Sequence, residues 1–118
     1  MSLRILNVSG DPEIASLRAR VMTHAGFDVR NVPCPNTDIP PEPFEVMVVC
    51  YSVPNSEMER VTSEFRDRNP GACVVAVLRM PWDPNCDHAD ECVQALEGPA
   101  ALIKAIKECT PKVKSAAV

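Results

Sequence analysis

The chain has 118 residues, enough for one hydrophobic core and too few for two. Hydrophobic residues make up 46% and charged residues 24%, which is the balance of a globular domain and not that of a disordered or membrane-spanning chain. A formal net charge of −4 supplies no basic field for nucleic acid or anionic lipid, so neither is expected as a partner.

No apolar run approaches the roughly 20 residues that cross a bilayer. The opening, MSLRILNVSG, lacks the basic, long apolar and small-residue order of a signal peptide. The expected setting is therefore a reducing cytoplasm. There the six cysteines, Cys34, Cys50, Cys73, Cys86, Cys92 and Cys109, are free thiols by default.

In chain order, RILNVSG (4–10) is a short apolar run ending in a turn and reads as a first strand. A helix follows, with Asp11 as N-cap, Pro12 as first helical residue and Gly26 as stop. Ile14, Leu17, Val21 and Met22 recur along one stripe of it. FDVRNV (27–32) is a second strand. Residues 33–43, PCPNTDIPPEP, carry five prolines, which exclude a helix and leave an extended connection. FEVMVVC (44–50) is almost unbroken in its apolar character, as in a strand buried on both faces of a parallel sheet.

Residues 55–71 form a second helix. Ser56 and Glu59 have capping-box spacing, and Met58, Val61, Thr62 and Phe65 form the core stripe. Glu57, Glu59, Glu64 and Asp67 alternate with that stripe as a solvated face. CVVAVL (73–78) is a fourth buried strand, RMPWDPNCDHAD (79–90) a second proline-punctuated connection, and ECVQAL (91–96) a fifth strand. A final helix spans 98–109 from Pro99 to a Thr110–Pro111 stop, with Leu102, Ile103 and Ile106 inward. Residues 110–118 read as a flexible tail beyond a domain of residues 1–109. Lys104, Lys107, Lys112 and Lys114 read as helix-end and tail charge. This order of elements implies an α/β fold in three layers, a doubly wound parallel sheet of five strands. Right-handed crossovers put the first and last helices on one face and the middle helix on the other.

Several strings carry a resemblance. RILNVSGDPEIASLRARVMTHAGFDV, FEVMVVC, FRDRNPGACVVAVL and ADECVQALEGPAALIKAIKE together resemble the receiver domain of bacterial response regulators, the CheY-like fold. They cover most of residues 4–108. The resemblance implies a strand order 2-1-3-4-5 with the second and fourth helices lost or shortened. It also implies that the phosphorylation chemistry is missing. The acidic pair of the family falls on Ser9 and Gly10, with Asp11 beside them. The phosphoacceptor aspartate falls on Cys50, the Ser/Thr after the fourth strand on Leu78 (Arg79 next), and the lysine after the fifth strand on Ala95, with Leu96 in place of the neighbouring proline. An acyl phosphate needs a carboxylate nucleophile, a divalent cation on oxygen ligands, and donors that hold the product. Leucine and alanine donate nothing, so no aspartyl phosphate is expected, and neither catalytic residue, metal nor cofactor.

Cys50 is either an inert core thiol or a redox or nucleophilic one at the place where open α/β sheets bind ligands. Neither His24 nor His88 is placed by sequence to serve as its base. Cys86, His88 and Cys92 hold soft ligand types without the second pair that zinc requires, and read as incidental thiols. Trp82 either packs over the sheet in place of a missing helix or anchors a partner. Phosphate-loop spacing and a Ser–His–Asp set are absent. The resulting expectation is a degenerate receiver that binds another protein or a second copy of itself through apolar surface left beside the middle helix, with no small-molecule substrate. An atypical regulator still coupled to a histidine kinase, and a thiol-based sensor centred on Cys50, are its rivals.

Overall fold

Five parallel strands, β1 (Arg4–Ser9), β2 (Asp28–Pro33), β3 (Val46–Val49), β4 (Cys73–Leu78) and β5 (Glu91–Gln94), form one sheet in the order β2-β1-β3-β4-β5. The computed structural model describes residues 3–34 and 38–117, with side chains through residue 109. Pro35, Asn36 and Thr37 of the first proline segment lie outside the described residues. Three helices complete the layers: α1 (Pro12–His24), α2 (Asn55–Arg68) and α3 (Pro99–Ala117). Every residue of β3 and β4 is buried, as apolar runs between two helical layers must be.

Alternate residues of these strands feed two cores. Leu6, Val8, Met47, Val49, Val74 and Ala76 meet Met58, Val61 and Phe65 of α2. Ile5, Val46, Val48, Val75 and Val77 meet Met22 of α1 and Leu102, Ala105 and Ile106 of α3. The expected facing of the helices holds. So does the start of α1, where Asp11 Oδ1 accepts from the Glu13 and Ile14 amides at 2.9 and 3.2 Å. Gly26 closes it at φ 100°, a conformation that favours glycine. On α2, Arg60 pairs with Glu57 and Glu64 at 2.6 and 3.2 Å along the solvated face.

Other expectations are corrected. The Ser56–Glu59 capping box does not form: α2 begins at Asn55 as expected, but its N-cap is Pro54, two residues before Ser56, and no side chain caps it. Leu17 is 61% exposed, because Ala15 and Met22, seven residues apart, take the inward line of α1 and Leu17 falls to its rim. Strand β5 stops at Gln94, and Ala95–Glu97 turn into a single 3-10 turn. A second 3-10 turn, Pro84–His88, lies inside the later proline connection. Helix α3 continues past Thr110–Pro111. Proline removes one amide donor, and residues 112–117, KVKSAA, hold neither glycine nor a second proline to end the helix.

The face beside α2 is not left bare. Ile39 and Pro40 from the first proline segment, Phe44 just beyond it, and Asn85 from the second are buried there. Burying Ile39 and Phe44 contributes about 1.5–3 kcal/mol each. Two amide side chains replace the backbone bonds that a helix would have made internally. Asn69 Oδ1 accepts from the Phe44 amide at 2.8 Å, and Asn85 Nδ2 donates to the Val53 carbonyl at 2.9 Å. Trp82, by contrast, does not cover the sheet; it stands 76% exposed.

Four of the six cysteines are paired, contrary to the free-thiol expectation. Cys73 is joined to Cys109, and Cys86 to Cys92, with Cα–Cα separations of 5.9 Å in both. The topology brings the first residue of β4 under the fourth turn of α3, a proximity that spacing in the chain does not reveal. The second pair also takes two of the three soft ligands in Cys86–His88–Cys92. Among the described residues, no group of three or more His, Cys, Asp or Glu side chains could hold a metal ion.

Candidate functional site

The sheet order reverses between β1 and β3, and their C-terminal ends open the crevice in which this class of fold places its ligands. Ser9 is the last residue of β1, and Cys50 follows β3 directly. The Cys50 amide donates to the Val8 carbonyl at 2.9 Å, and its carbonyl accepts from the Val53 amide at 3.0 Å. That turn sets the thiol inward, with the residue 1% exposed.

Around it the chain gathers hydroxyl groups. Ser52 Oγ accepts from the Gly10 amide at 2.9 Å and lies 3.3 Å from Ser9 Oγ. The Ser52 amide donates to Cys50 Sγ at 3.5 Å. Ser9 Oγ donates to the Asp11 carbonyl at 3.0 Å and accepts from the Asp11 amide at 3.1 Å. A Cβ at Gly10 would come within 3.1 Å of the Ser52 carbonyl oxygen, so glycine permits this close approach of the two loops.

Tyr51, between Cys50 and Ser52, is half-buried under two cations. The Arg79 guanidinium lies 4.7 Å from its ring centre and that of Arg18, from α1, 5.5 Å. Burial pushes the Cys50 thiol up and is the largest single influence on it. The Ser52 hydroxyl and amide, the Arg18 guanidinium and the Ser9 hydroxyl together outweigh burial, and the thiol titrates below its ordinary value. His24, exposed at the end of α1, and His88, half-buried in the later 3-10 turn, are not among the groups that act on Cys50.

The other expected positions separate. Asp11 stands next to the crevice, but its Oδ1 is engaged with two helix amides. Leu78 is buried in the core on the α2 side. Ala95 is half-buried on the opposite face, against the core shared by α1 and α3. Trp82, with Met80, stands exposed on the loop after β4, and Leu96 is 93% exposed after β5. Sequence reading missed Ser52, Tyr51 and Arg18. Ser52 had a signal: it lies two residues past Cys50, within the turn that ends a buried strand. Arg18 had a weaker one, two helical turns beyond Asp11.

A receiver's divalent cation does not fit these residues. Such an ion asks for several oxygen ligands with at least one or two carboxylates. The crevice offers hydroxyls, a thiol, one carboxylate engaged as a cap, and two guanidiniums that repel a cation.

Comparison with known proteins agrees with the fold. A receiver domain protein (CheY-like) from Methanospirillum hungatei JF-1 superposes with a TM-score of 0.72 at 18% identity, over 98% of this chain and 99% of that one. A response regulator from Burkholderia pseudomallei, solved with a phosphorylated aspartic acid, a calcium ion and citrate, gives 0.73 at 18% identity over 97% and 72%. Response regulator TrrA from Thermotoga maritima, in complex with Mg²⁺ and BeF, gives 0.68 at 19% over 92% and 99%. No family model matches the sequence, and no curated protein matches it significantly. The chain has the five-stranded CheY-like fold of response regulator receiver domains. Within that fold Cys50 sets a buried thiol at the C-terminal end of β3. No helix among the described residues is long and apolar enough to cross a membrane.

Proposed function

We propose that the chain is a degenerate receiver, a signalling module that acts by binding another protein and is not switched by an aspartyl phosphate. One observation carries this reading: the crevice between β1 and β3 presents Cys50, two serine hydroxyls and two guanidiniums, and its one neighbouring carboxylate among the described residues, Asp11, caps α1 through Oδ1. Phosphoryl transfer to a receiver depends on electrostatic positioning by metal and carboxylates, and that machinery has no counterpart here.

The interaction surface differs from the one expected beside α2, which the proline segments cover. Met80, Trp82 and Leu96 stand exposed on the two loops that follow β4 and β5, at the same end of the sheet as Cys50. Tryptophan in such a place is a common interface anchor.

The test is incubation with acetyl phosphate and Mg²⁺ followed by intact-mass measurement. No stable gain of one phosphate is expected; a phosphorylated aspartate in the crevice overturns the reading. Light scattering across a wide concentration range, with Trp82→Ala as comparison, examines the homodimer version, which a strict monomer eliminates.

A second reading has its own support. The depressed titration of Cys50 and the cations beside it favour a thiolate, as a thiol-based sensor requires.

A further inference from the structure

A groove of about 260 Å³ lies between α1, the ends of β4 and β5, and the start of α3, outside the Cys50 crevice. Val21, Val77, Val93, Ala95 and Leu102 supply its apolar walls, and the exposed Leu17 forms part of its rim. Among the described residues Arg18 is the one charged residue that lines it. Its Nη1 is buried and has no hydrogen-bond partner among them.

As the side chain stands Nη1 is closed to solvent, so a ligand in the groove reaches it by a turn of the guanidinium toward the groove. A buried guanidinium nitrogen left unpaired carries the full cost of its lost hydration, and native proteins pair such groups almost always. The volume is ample for a small molecule, since an apolar cavity of about 150 Å³ holds one benzene. The walls favour a carbon chain or ring, and the planar guanidinium fork fits a carboxylate bidentately. A phosphate or sulfate fits the fork too but would ask for several further donors, and beside Arg18 the lining offers one polar side chain, Gln94.

We propose that this groove binds a small organic monocarboxylate, its carboxylate on Arg18 and its apolar body between α1 and α3. The groove shares Arg18 with the Tyr51 stack, so a ligand there touches the residue that bridges groove and crevice. The inference concerns a different site from the signalling reading, and either can fail without the other.

The test uses hexanoate, hexan-1-ol and inorganic phosphate as probes, followed by amide chemical shifts in NMR titrations of the full chain. Hexanoate is expected to give a saturable shift set centred on Val21, Ala95 and Leu102, with a dissociation constant on the order of 1 mM, as befits so few atoms. Hexan-1-ol and phosphate are each expected to bind at least about tenfold more weakly. Arg18→Met, which keeps the side chain's length, is expected to lose a similar factor; Ala95→Leu, which fills the groove and keeps the charge, should abolish the shifts. Equal binding of hexanoate and its alcohol overturns the proposal, and because it needs only the unmodified chain, a variant that folds poorly cannot obscure it. Absence of saturable shifts, or full affinity in Arg18→Met, overturns it equally.

Discussion

The two disulfides close loops of very different length, and that difference sets what each contributes. Cys73 and Cys109 are 36 residues apart; Cys86 and Cys92 are 6 apart. In the chain-entropy treatment a cross-link destabilises the unfolded state by about 3.8 kcal/mol for the long loop and about 2.2 kcal/mol for the short one. For a domain of 118 residues about 4 °C in Tm accompanies each kcal/mol, so the expected losses are about 15 °C and about 9 °C. The measurement is urea and thermal unfolding of the oxidised chain with and without dithiothreitol. Cys109→Ala removes the long cross-link alone and Cys86→Ala the short one. Cys109 is fully buried, so comparing its alanine variant with the parent, both reduced, separates lost packing from the lost cross-link. The long bridge should also dominate how α3 is held, since it ties that helix to the first residue of β4. Unchanged midpoints on reduction, or six titratable thiols in the native chain, would refute the reasoning.

Two further outcomes are expected. Cys50 should show thiolate ultraviolet absorbance at a pH below the usual thiol pKa of about 8.5, in difference against Cys50→Ser. Because its folded pKa is depressed, its ionisation adds stability that is complete above about 8.5 and is lost as pH falls through the folded value. The parent's urea midpoint should therefore rise toward pH 8.5 relative to Cys50→Ser; parallel curves would contradict it. Asn69→Ala should cost about 2–3 kcal/mol, because it leaves the buried Phe44 amide without an acceptor and removes the donor to the Phe65 carbonyl. A loss under about 0.5 kcal/mol in the alanine variant would show that the chain entering β3 is held by something else.

The scaffold was legible because its signals are local. Asp11 and Pro12 announce a helix start, Gly26 its stop, and the apolar runs 44–50 and 73–78 two strands buried on both faces. What escaped the sequence depends on approach in space. Nothing in the spacing of Cys73 and Cys109 places one over the other. Ile39 and Phe44 gave no sign of covering the α2 face, because proline excludes a helix without saying which side the extended chain turns inward. The site was half legible. Ser9, Gly10 and Cys50 meet where strand order put them, whereas Arg18 enters from a helix and Arg79 from a loop, and their meeting over Tyr51 is a tertiary fact.

That meeting explains why the crevice holds together chemically. A cluster of carboxylates is tolerable only where a divalent cation or other positive groups offset its charge. Ser9, Gly10 and Cys50 bring no carboxylate to this crevice, so no such cation is required. Two guanidiniums can therefore stand over Tyr51 at little electrostatic cost, and that of Arg18 adds to the Ser52 hydrogen bonds that lower the Cys50 pKa. The hydroxyls, the thiol and the Arg18 guanidinium therefore act as one electrostatic unit, whose field suits a thiolate better than a cation.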